Sequence, residues 1–142
     1  YMSAGSGVQH SEFNPSPDTP TELLQIWITP SASGGEPRYG DMDANQLKQD
    51  NALTLFASPD GRHGSFAMRQ NAEIQFGNLA ANYSLEVPPS PLDGIWIHLI
   101  KGELQVLGAS LQPGDSGSIE HAAVGFPLKA AKDAEFLLFR LA

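Results

Sequence analysis

The chain has 142 residues, 41% hydrophobic and 17% charged, with a formal net charge of −8 and no cysteine. The missing thiol excludes disulfides, thiolate metal sites and thiol catalysis, and the acidic balance argues against nucleic acid or an anionic membrane as a partner gathered by bulk electrostatics. No apolar run approaches the ~18 residues that span a bilayer, and the start lacks the basic-then-apolar order of a signal peptide.

Tyr1 precedes Met2, so a truncated or processed piece is expected. Residues 5–14 then read Gly5-Ser6-Gly7-Val8-Gln9-His10-Ser11-Glu12-Phe13-Asn14. On a strand, His10 and Glu12 would share a face. An imidazole and a carboxylate together suit a redox-active divalent ion. Standing alone, a His-x-Glu pair on a strand is more often a surface pair.

Leu23–Ile28 (Leu-Leu-Gln-Ile-Trp-Ile) lies between Pro20 and Pro30 and predicts a buried strand. Pro30, Gly34, Gly35, Pro37 and Gly40 mark Thr29–Gly40 as a linker or long loop. Asp41–Asp50 is polar enough for one helical turn. Ala52–Ala57 predicts a strand, closed by the turn Ser58-Pro59-Asp60-Gly61. Phe66–Met68, Ala72–Phe76 and Tyr83–Val87 are short strand candidates, and Pro88-Pro89-Ser90-Pro91 is a stiff break.

Gly94–Lys101 and Glu103–Leu107 predict a hairpin about Gly102. On the first of these strands Ile95, Ile97 and Leu99 share the face assigned to the interior. Trp96, His98 and Ile100 share the other, expected to be covered by a second sheet or a partner domain. Leu111-Gln112-Pro113-Gly114-Asp115 is a turn, with strands expected at Ser116–Glu120 and Glu135–Arg140. Strands at this spacing, with 14 Gly and 11 Pro among them, predict an all-β sandwich or barrel.

The run Ile97-His98-Leu99-Ile100-Lys101-Gly102-Glu103-Leu104-Gln105-Val106, followed by Pro113-Gly114-Asp115, resembles the cupin family. The opening Met2-Ser3-Ala4-Gly5-Ser6-Gly7-Val8-Gln9-His10-Ser11-Glu12, with Leu24-Gln25-Ile26-Trp27 after it, resembles the pirin family of two-cupin proteins. That resemblance implies a double-stranded β-helix (jelly-roll) barrel of the cupin type, with an N-terminal extension from a preceding barrel. It divides the chain into 1–28, the end of the first cupin; 29–50, a linker; and 51–142, the C-terminal cupin.

In that family an iron-like divalent metal is held by three His and one Glu, and the resemblance makes His10 and Glu12 the third His and the Glu. The upstream His-Pro-His that supplies the other two does not occur in this sequence. Two ligands hold such an ion weakly, so no occupied family-type site is expected in this chain. The second cupin offers no replacement. With its first motif anchored at Gly102, the Glu position is Ile95 and the His positions fall among Pro88–Pro91. With its second motif anchored at Gly114, the key positions are Glu120, Ala122 and Gly125.

Other candidates read blandly. His98 is expected to be a core or interface histidine with a hydrogen-bonded ring. His121 beside Glu120 reads as a solvated pair, and His63 as a turn residue. Asp41 and Asp43 lack the glycine and glutamate of a calcium loop. Ser6 and Ser11 lie near His10 without a Gly-x-Ser-x-Gly elbow. The resemblance implies that the intact parent is a metal-dependent dioxygenase of the quercetin 2,3-dioxygenase kind, taking a flavonol-like molecule. The alternative is a metal-sensing or regulatory protein-binding module. The chain itself is expected to be catalytically inactive and cytoplasmic, with no direct nucleic-acid or membrane partner. It is expected to be able to form a homodimer through the N-terminal strand.

Overall fold

The computed structural model describes residues 1–90, 92 and 94–142. Pro91, the last residue of the expected stiff break, lies outside the described residues. Strands dominate. In chain order they are β1 (Met2–Ser3), β2 (Arg38–Tyr39), β3 (Ala52–Ser58), β4 (Phe66–Ala67), β5 (Ala72–Leu79), β6 (Ser84–Val87), β7 (Gly94–Val106), β8 (Ala109–Leu111), β9 (Ser116–Glu120) and β10 (Phe126–Leu141). A single 3₁₀ turn, Ala44–Gln46, falls in the polar stretch expected to hold a helical turn, capped by Asp43 accepting from Asn45 N–H at 2.9 Å. No helix among the described residues is long and apolar enough to cross a membrane.

Two long antiparallel strands, β7 and β10, form the spine. Along its first half β10 also pairs with β6; along its second half it pairs with β5. The first half of β7 pairs with β9 and its last residues with β8. The main sheet runs β4-β3-β5-β10-β7-β8 and does not close into a ring of hydrogen bonds. The expected jelly-roll layering is therefore present as a bent, open double layer rather than a closed barrel. β1 and β2 form a separate two-stranded ribbon.

The bend explains one departure from expectation. Glycine 102 makes no hairpin; it is a kink within β7 at φ +86°. A Cβ there would fall on the carbonyl of Asp133, opposite the register shifts of β10. The spine bends there and does not reverse. The true hairpin lies five residues on, where Leu107 (φ +47°) and Gly108 (φ +84°) join Val106 to Ala109. Two successive positive φ values are what a two-residue type I′ loop requires.

Alternation along β7 sorts inside from outside as expected. Ile95, Ile97 and Leu99 are 2%, 1% and 0% exposed. They meet Leu104, Leu128, Phe136 and Leu138, all at 0%, to form the core. Phe136 lies over Gly77, where a Cβ would meet its ring. On the other face of β7, Trp96 is 42% exposed while His98 and Ile100 are half-buried.

The second departure is Leu23–Ile28. It joins no strand, and Leu23 and Trp27 are 64% and 85% exposed. The composition of a buried strand is there, but the run pairs with no described strand. Further along, Ser31 N–H and Oγ–H donate to the Arg69 carbonyl at 2.8 and 3.0 Å, and Gln70 Nε2 donates to the Thr29 carbonyl at 2.7 Å. The segment is thus tied down just after its apolar run, of which Leu23–Trp27 stay exposed and Ile28 is half-buried.

Candidate functional site

The approach to His10 and Glu12 is set by glycines. Gly5 (φ +56°) carries a tight turn in which Gly7 N–H donates to the Ala4 carbonyl at 2.8 Å. Ser6 N–H donates to the Gly35 carbonyl at 2.8 Å, and a side chain at Gly5 would run into the Gly35–Pro37 backbone. That close approach requires glycine. Beyond it the chain leaves regular structure. His10 and Glu12 therefore do not sit on a strand, and the strand alternation invoked for their shared face does not apply.

They nonetheless face each other. His10 Nε2 lies 3.9 Å from Glu12 Oε1, with the side chains 41% and 60% exposed. Metal bonds to imidazole nitrogen and carboxylate oxygen run about 2.0–2.2 Å. At ordinary bond angles that puts two donors of one ion about 2.8–3.6 Å apart, so this exposed pair shares an ion only after closing by a few tenths of an ångström. They are only two donors: among the described residues no group of three or more His, Asp or Glu is arranged to hold a metal. The residues present fit part of a ligand set.

The second cupin is different in kind. Ile95, at the position where a cupin would carry its ligating Glu, is 2% exposed and belongs to the apolar core, as does Ala122, at a glycine position of the second motif, at 4%. Glu120 is exposed on β9, paired with Gly94. His98 has a hydrogen-bonded ring, as expected: its Nδ1 lies 2.8 Å from Ser116 Oγ across the β7–β9 pair. His63 (φ +56°) sits in the loop turn between β3 and β4. Asp43 is used as a cap.

One feature of the interior escapes sequence reasoning. Arg140 is 5% exposed. Its register opposite Ile95 and Glu73 puts it on the face of Phe136 and Leu138. Its two terminal nitrogens each donate to the Pro88 carbonyl at 3.3 Å. Burial pushes the guanidinium below its ordinary value, partly opposed by the Glu73 carboxylate. Glu73 in turn binds Arg62 at 2.6 Å, and Arg62 reaches Asp60 at 3.2 Å. The hydrogen bond from Arg62 to Glu73 raises the Arg62 pKa, and the Arg62 backbone N–H holds Asp60 below the usual carboxylate range. Nearby on the same face, the Gln75 Oε1 is buried without a hydrogen-bond partner. The only sequence signal is a cation at the end of Phe136-Leu137-Leu138-Phe139. Arginine does not ligate metals, so these groups are an electrostatic tie across one end of the fold.

The comparisons with known proteins identify the family. A family profile described as the quercetinase C-terminal cupin domain matches residues 55–141. The quercetin 2,3-dioxygenase of Escherichia coli K12 is 36% identical over 143 aligned residues, which cover 99% of this chain and 59% of that protein. A pirin-like protein of Caulobacter vibrioides is 29% identical over 138 residues, 96% of this chain and 59% of that one. The crystal structure of YhhW from Escherichia coli superimposes with a TM-score of 0.72 at 27% identity, covering 82% of this chain and 48% of that one. Bacterial pirin YhhW in complex with nickel(II) gives the same score. The chain thus spans 59% of the length of these curated relatives.

Proposed function

The chain belongs to the pirin family, of which it carries the C-terminal cupin, and on that premise we propose that it serves a metal-dependent dioxygenase acting on a flavonol-like molecule. His10 and Glu12 contribute one nitrogen and one oxygen donor to the metal centre. The second cupin is a non-catalytic support. The observation that carries this reading is the pairing of His10 Nε2 with Glu12 Oε1 at 3.9 Å, in a chain whose second cupin keeps an apolar core at the corresponding positions.

A divalent ion in that centre, iron in our reading, supplies the redox or Lewis-acid chemistry that brings O₂ and the flavonol to reaction. The remaining ligands belong to the additional length that the relatives possess. The role of residues 1–12 is to deliver two donors: the Gly5 turn, pinned to Gly35, aims the segment, and the short spacing from His10 to Glu12 keeps both donors on one ion. The β-sandwich behind it supplies rigidity and no ligands. The chain alone is inactive, and the protein works in the cytoplasm.

The test uses the longer protein that contains this chain, loaded with iron(II) or nickel(II), with quercetin loss followed by absorbance under O₂. Quercetin is consumed by the wild type, while His10→Ala and Glu12→Ala each lose both bound metal and turnover. Metal binding with no quercetin loss overturns the oxygenase reading. Full metal content in both variants overturns the ligand assignment.

A further inference from the structure

Residues of β6, β7, β8 and β10 line an open groove of about 470 Å³ on the outer face of the second cupin. None of these strands carries His10 or Glu12. The register explains its chemistry. Ser84 pairs with Lys129, Lys129 with Gln105, and Gln105 with Ser110. Cross-strand partners share a face, so these four exposed side chains form one polar row across four strands, with the ammonium near its centre. Pro127 and Leu107 add apolar wall, and Leu107 is held out by the type I′ loop.

Lys129 is unlike the other lysines. Lys48 and Lys101 pair with Glu135, and Lys132 pairs with Glu103. Lys129 pairs with no carboxylate among the described residues, in a chain of net charge −8. Two acids flank the row. Glu103, held by Lys132, accepts from Ser110 Oγ at 3.2 Å, and Glu86 lies two residues from Ser84 on the same face.

We propose that this groove binds a small organic monoanion with a flat apolar body, of the hydroxybenzoate class. One ammonium, assisted by the Gln105 amide and the Ser84 hydroxyl, meets one carboxylate. Pro127 and Leu107 hold the ring. Glu103 is already paired with Lys132, which leaves Lys129 as the groove's cation without a carboxylate partner among the described residues. The inference is independent of the metal centre.

Titration of the chain with 4-hydroxybenzoate, followed by amide chemical shifts, tests it. Saturable shifts are expected at Ser84, 105–110 and Lys129, and at neither His10 nor Glu12. Lys129→Gln weakens binding at least tenfold and Lys129→Arg less, both with unchanged thermal midpoints because the side chain is exposed. Binding of inorganic phosphate as tight as that of 4-hydroxybenzoate contradicts the monoanion assignment. Absence of saturable shifts, or affinity unchanged in Lys129→Gln, overturns the site.

Discussion

Gly77 is glycine because Phe136 occupies the space above it. Gly77→Ala should cost about 1–3 kcal/mol, the usual toll of overpacking, and Gly77→Ala/Phe136→Leu should recover part of it; urea midpoints read both. Glu135 is a different case, since its contribution depends on charge. Its carboxylate is bound by Lys48 at 2.9 Å and approached by Lys101 at 3.6 Å. The Lys48 hydrogen bond, with Lys101 assisting against partial burial, holds it below the usual glutamate range. A carboxylate with a depressed folded-state pKa adds stability above its unfolded pKa and loses it as pH falls through the folded value. Wild-type stability should therefore drop from pH 5 to pH 3 more than that of Glu135→Gln. At pH 7 the variant should be less stable by about 0.5–1 kcal/mol, since the pair lies near the surface. Parallel pH profiles for the two proteins would remove the claim.

The elements show where local sequence suffices and where it does not. Turn residues separated the strands well: Ser58-Pro59-Asp60-Gly61 ends β3, and Pro113-Gly114-Asp115 precedes β9. The same logic misread Gly102, because a glycine between two apolar runs signals a turn and a bulge alike. Only the partner strand decides, and here Asp133 lies too close for any side chain. Gly102→Ala should destabilise by about 2 kcal/mol or more, from positive φ and the backbone clash together. Leu107→Asn should stabilise by about 0.5–1 kcal/mol, because asparagine tolerates the left-handed conformation that leucine adopts at φ +47°. Thermal or chemical unfolding of the two variants checks both signs. Leu23–Ile28 was legible as an apolar strand in composition but not in its partner, which no residue of the run specifies. Its exposure leads to a further expectation: the chain self-associates with rising concentration, and Trp27→Ser weakens this in sedimentation measurements.

At the scale of the molecule, the fold class was readable from strand spacing and turns, and the apolar interior from Ile95, Ile97 and Leu99. Arg140 was not, because a cation ending an apolar run looks like a strand leaving for solvent, and only its register beside Ile95 turns it inward. The proposed donors His10 and Glu12 were legible as residue types through a family resemblance, while their placement off any strand was not. The proposed function rests on a division of labour: donors at the N-terminal end, hydrocarbon in the second cupin. Calorimetric titration of the chain with nickel(II), wild type against His10→Ala/Glu12→Ala, tests that division most directly. The account predicts one weak site in the wild type and none in the double variant. A tight site that persists without His10 and Glu12 would place the ligands elsewhere in the chain and contradict it.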